Sequence, residues 1–144
     1  MAIHDDRNIR RILWSSAAFN AGAAATFAFP GSALGRIAGL PVPVPVIYSA
    51  MITYFVILFG GLYAWIARQP TIPRPILAFG AIGKAGVFAL ASILWLSGEV
   101  PDRLLLVAGI DLIFAILFVR WLIAEGTRVH PKAGSGTGSR SASC

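Results

Sequence analysis

Lys84 sits near the middle of an apolar run, Pro75 to Ser97 (PILAFGAIGKAGVFALASILWLS). Asp111 is the one acidic residue deep in another such run, Leu104 to Ala124. Each run is about 20 residues long, enough for a helix to cross a bilayer. An ammonium at mid-membrane costs several kcal/mol, so Lys84 is expected to turn inward, toward an opposite charge or a wet cavity. The turn between the runs, Ser97 to Arg103, is short. Counting outward from it places Lys84 and Asp111 at comparable depth on antiparallel neighbours, within reach of an ion pair.

Three chemistries are open to such a pair. It can be structural, fixing helix register and rotation, because removing one partner strands the other charge. It can supply the polar contact in a cavity holding an apolar, lipid-like ligand, since such sites combine an apolar wall with a few convergent polar groups. The residues that would line that site are Asn20, Thr53, Tyr63, Lys84, Phe88, Trp95 and Asp111, with Ser49 a weaker addition. It can also be catalytic, with Asp111 and Lys84 as acid and base on an isoprenoid-like lipid, in an isomerisation or cyclisation. No second carboxylate at matching depth supports the last reading.

Other site chemistries lack their residues. The only cysteine, Cys144, ends the sequence, and the two histidines, His4 and His130, stand near its opposite ends. A metal or haem site inside the spans is therefore not expected, nor is any cofactor. No Ser/His/Asp or Cys/His arrangement points to a nucleophile. Small multidrug exporters also have four short spans, but they depend on a glutamate in the first, where this chain carries Asn20.

The elements that must position the pair are read from hydropathy. The 144 residues are 57% hydrophobic and 12% charged, with a mean hydropathy of +0.76, too apolar for a soluble domain. The fold class expected is all-α: an integral membrane bundle of four antiparallel helices, with spans at about 12–29, 47–67, 75–97 and 104–124. Residues 1–11 form a charged N-terminal segment. A basic stretch followed by an apolar one also describes a signal peptide, but the run from Ile12 is long for that and is interrupted by Asn20. Small residues around Asn20 (Ser16, Ala17, Ala23, Ala24) mark a helix contact surface, where an asparagine can bond a neighbouring helix.

Between the first two spans, GSALGRIAGLPVPVPV divides in two. Leu34 to Leu40 around Arg36 forms a short amphipathic turn, and Pro41, Pro43 and Pro45 favour an extended spacer or lid. Tyr48 and Trp65 fit the aromatic belt at the two ends of the second span. Gly80, Gly83 and Gly86 flank Lys84 and allow close approach of another backbone. The tail, 126–144, is Gly/Ser-rich and expected to be disordered.

A net charge of +6 invites a nucleic-acid reading, but the basic residues border apolar spans, where they set topology and touch anionic lipid. Arg7, Arg10, Arg11, Arg68, Arg74, Arg120, Arg128, Lys132 and Arg140 fall on one side of the expected bundle, Arg36 and Arg103 on the other. The positive-inside bias then puts both termini in the cytoplasm.

The layout resembles small bacterial four-helix membrane proteins of the DoxX-like type. The resemblance is carried by the first span running into FAFPGSALGRIAGLP, by the glycine-containing FVILFGGLYAW, and by Gly83-Lys84 and Gly109-Ile110-Asp111. It covers the four spans in architecture and composition, and it implies an accessory role beside membrane or redox complexes. Its expected partners are membrane lipid, an apolar small molecule, and a second copy or a larger membrane complex.

Overall fold

The structure, a computed structural model, describes residues 2–129. Among them it is all helical: α1 (Ala2–Ala28), α2 (Ala33–Ala38), α3 (Val46–Arg68), α4 (Arg74–Leu96) and α5 (Asp102–Val129). No described residue is in a strand. Helices α3, α4 and α5 are each long and apolar enough to cross a membrane. Their outward faces carry Ile47, Met51, Phe55, Phe79, Ile82, Leu90, Leu106 and Ile113, all exposed, as suits a surface in contact with lipid rather than water.

Helix α1 is as long as the others but less apolar. Alanines fill much of its second half, Asn20 interrupts it, and its start carries Arg7, Arg10 and Arg11. The expected boundary at residue 12 is absent, because no proline or glycine precedes it and the helix continues unbroken from Ala2. Similarly, α5 runs past Ala124 to Val129, so 126–129, expected to be part of a disordered tail, are helical. The remainder of that tail, 130–144, lies outside the described residues.

α1 packs along α3 and α4 along α5, and α1 also touches α5. Ring contacts join α3 to α4 (Phe59 to Phe79) and α1 to α5 (Phe19 to Phe114). In α1 the buried positions are Ile9, Leu13, Ser16, Ala17, Asn20 and Ala24, one stripe at helical spacing. Of these, Ile9, Leu13 and Ala17 meet Tyr63, Ile66, Ala67, Leu77, Ala81 and Phe118 in a single apolar core. Gly60 makes the close crossing of α1 and α3 possible, since a Cβ there would stand 3.1 Å from that of Asn20.

Where a short amphipathic turn was expected, the connector contains the helix α2. Ser32 caps α2 by accepting the Gly35 N–H (3.2 Å), and Gly39 ends it at φ 78°. Arg103 of α5 donates to the Arg36 carbonyl (3.1 Å), which holds the connector against the α4–α5 turn. The proline segment bends at Val42 and Pro43 instead of running straight. Pro75 lies in the first turn of α4, where a missing N–H leaves no helical bond unmade.

Candidate functional site

Lys84 lies on the inner face of α4 with Leu77, Gly80, Ala81 and Ala91, and is 4% exposed. Its ammonium forms an ion pair with Asp111 Oδ1 of α5. It also donates to Asn20 Oδ1 of α1 at 3.1 Å. Three rings complete the enclosure, Phe114 at 5.1 Å, Tyr63 at 5.3 Å and Phe19 at 5.5 Å from Nζ to centroid. Their negative faces stabilise a cation where water is excluded.

The partners are themselves anchored. Asn20 Nδ2 donates to the Val56 carbonyl of α3 (3.2 Å), and the buried Tyr63 hydroxyl donates to the Gly80 carbonyl of α4 (3.3 Å). Every long helix thus contributes to one polar knot. An ammonium has three N–H donors, and here two meet oxygen while the rings stand around the group.

Four of the seven residues expected to line a ligand site come together: Asn20, Tyr63, Lys84 and Asp111. The other three do not join them. Thr53 turns its hydroxyl back onto its own helix, donating to the Ser49 carbonyl (2.8 Å). Phe88 sits one turn beyond Lys84 and makes no ring contact with the ammonium; its carbonyl accepts from Ser92 (2.8 Å). Trp95 lies at the far end of α4, where its indole N–H donates to Asp102 (2.6 Å). Ser49 bonds the Phe27 carbonyl and so ties α3 to α1.

The glycines around Lys84 also divide. A Cβ on Gly80 would come within 2.8 Å of the Tyr63 ring, whereas one on Gly83 or Gly86 would meet nothing within 4 Å. Gly80 is one turn from Lys84 and shares its face; the other two point away from the bundle.

Sequence reasoning missed Phe19 and Phe114. Phe19 directly precedes Asn20, and Phe114 lies three residues after Asp111; that spacing was the available signal. An apolar recess of about 700 Å³ on α3, lined by Tyr54, Ile57, Leu58, Gly61, Leu62 and Trp65, includes none of the cluster residues.

No family model matches the chain, and comparisons with characterised proteins and with solved structures found no similar protein. The class is therefore defined by the fold and the site alone: an all-helical protein with membrane-capable helices and a buried, neutralised lysine.

Proposed function

We propose that this chain is a small inner-membrane protein of four spans in an up-down bundle, with both termini cytoplasmic, acting as a non-catalytic accessory subunit. The spans are α1, α3, α4 and α5, and the DoxX-like resemblance agrees with that layout. The observation that carries the reading is the closure of the Lys84 knot. Its ammonium, carboxylate and carboxamide satisfy one another behind three aromatic rings, so the charges serve helix assembly. An acid–base enzyme would instead hold such a group against its substrate.

The apolar outer faces then meet lipid and the helices of a larger assembly. Purification from native membranes in mild detergent, followed by mass spectrometry of the intact complex, tests this. A stoichiometric protein partner is expected. A bundle that carries an isoprenoid-like lipid and no protein partner would replace the subunit with a ligand-binding protein.

A further inference from the structure

At the end of the molecule where arginines gather, three guanidinium groups are already engaged, while Arg7 and Arg11 are exposed. Arg10 donates to the carbonyls of Ala67 (2.7 Å) and Pro70 (3.0 Å), Arg74 to that of Leu122 (3.1 Å), and Arg68 lies over the Trp14 ring at 5.2 Å. Arg120 is exposed and has no such partner among the described residues. Beside it Trp121, only 9% exposed, buries an indole N–H that finds no acceptor. A buried donor left unpaired is costly and calls for an explanation.

Both residues line an open cleft of about 190 Å³ between the start of α1 and the end of α5. Asn8 adds a carboxamide, and Ile9, Ile12 and Leu117 form apolar walls. We propose that this cleft binds the phosphate headgroup of an anionic phospholipid, with Arg120 and Trp121 as donors.

The chemistry of the lining selects that ligand. A guanidinium and an indole N–H donate and cannot accept, so they call for an acceptor, and the guanidinium favours one with negative charge. A phosphodiester offers oxygens to the planar fork of Arg120 and one more to Trp121. The apolar walls suit the glycerol and first methylenes of a lipid better than a free, fully hydrated phosphate. Tryptophan and arginine side by side in the last third of α5 also match the headgroup level of a bilayer.

The test uses the full chain in neutral detergent, with binding of phosphatidylglycerol and phosphatidylcholine followed by native mass spectrometry. Inorganic phosphate and glycerol 3-phosphate serve as free anions. Phosphatidylglycerol is expected to bind about tenfold tighter than phosphatidylcholine and than either free anion. Arg120→Gln and Trp121→Phe should each weaken it about tenfold, while Arg11→Gln, an exposed arginine outside the cleft, leaves it unchanged. Arg120 is exposed, so its substitution reads binding without disturbing the core. Equal affinity for the two lipids, unchanged affinity in Arg120→Gln, or free anions binding as tightly as the lipid would overturn the proposal.

The site rests on the membrane placement proposed above, and the two fail differently. A folded, detergent-dependent bundle without lipid preference removes only the cleft, whereas a chain that stays monodisperse without detergent removes the membrane reading.

Discussion

The Lys84 ammonium stands 3.1 Å from the side-chain oxygen of Asn20, a residue 64 positions earlier in the chain. Asn20 also donates to the Val56 carbonyl, so one carboxamide joins α1 to both α3 and α4. Replacing it with leucine removes an acceptor from a buried charge, at a cost of about 1–3 kcal/mol. Asn20→Leu should therefore lower the melting temperature in detergent. A variant that melts with the parent would show that the carboxamide contributes nothing.

The ion pair makes a sharper prediction because its partners are so unequally useful alone. Lys84→Met leaves the Asp111 carboxylate without its cation, and Asp111→Leu leaves the ammonium with one oxygen. Each single change should destabilise by about 3–5 kcal/mol, and the double variant by clearly less than the sum. Thermal unfolding of the three variants closes the cycle. Additive losses would mean that the pair is not coupled.

Gly80 is occupied from outside by the ring of Tyr63, which itself is 1% exposed and has little room to retreat. Gly80→Ala puts a methyl 2.8 Å from that ring and should cost about 1–3 kcal/mol, with loss of the Tyr63 hydroxyl bond to the Gly80 carbonyl. Gly83→Ala meets open space and should gain up to ~1 kcal/mol from helix propensity. Melting the two proteins side by side separates packing from propensity, and a destabilised Gly83→Ala would contradict the placement of that face.

Much of the knot was legible because hydrocarbon leaves few options. A lone lysine and a lone aspartate at matched depth on either side of a short turn have each other, and an asparagine in an alanine-rich run has a neighbouring helix. The rings were not legible. Phe19 and Phe114 differ from lipid-facing phenylalanines only by rotation about the helix, and several apolar faces of these spans look alike in sequence. Trp95 shares the periodicity of Lys84, yet a carboxylate at the next turn draws its N–H to Asp102. Ile9, which is 1% exposed, was hidden by its charged neighbours: the segment looked like a polar tail because of its arginines, while the helix simply ran on through it.

Arg10 illustrates what those arginines do. Its guanidinium reaches the carbonyl of Ala67 in the last turn of α3 and that of Pro70 just beyond it, groups that no further helical turn can satisfy. Arg10→Lys keeps the charge and its effect on the helix dipole but loses the two-pronged contact. A loss of about 1 kcal/mol is expected for lysine and more for alanine, read by detergent melting. Equal stability of the arginine and lysine forms would reduce the contact to charge alone.

The number of membrane crossings can be read with the chain's one native cysteine. With four spans, Cys144 and a cysteine placed by Ala2→Cys lie on the same, cytoplasmic side, and Glu99→Cys in the α4–α5 turn lies opposite. A membrane-impermeant maleimide added to intact cells should then label Glu99→Cys, made in a Cys144→Ser background, and spare the other two until the cells are permeabilised. If α1 rested on the membrane surface and only α3, α4 and α5 crossed, position 2 would lie opposite Cys144, and one of the two would be labelled in intact cells. The weaker hydropathy of α1 makes this the decisive comparison. Packing argues for the crossing: Asn20 sits deep in α1, and its carboxamide reaches Lys84 in the middle of α4 only if α1 runs through the same layer.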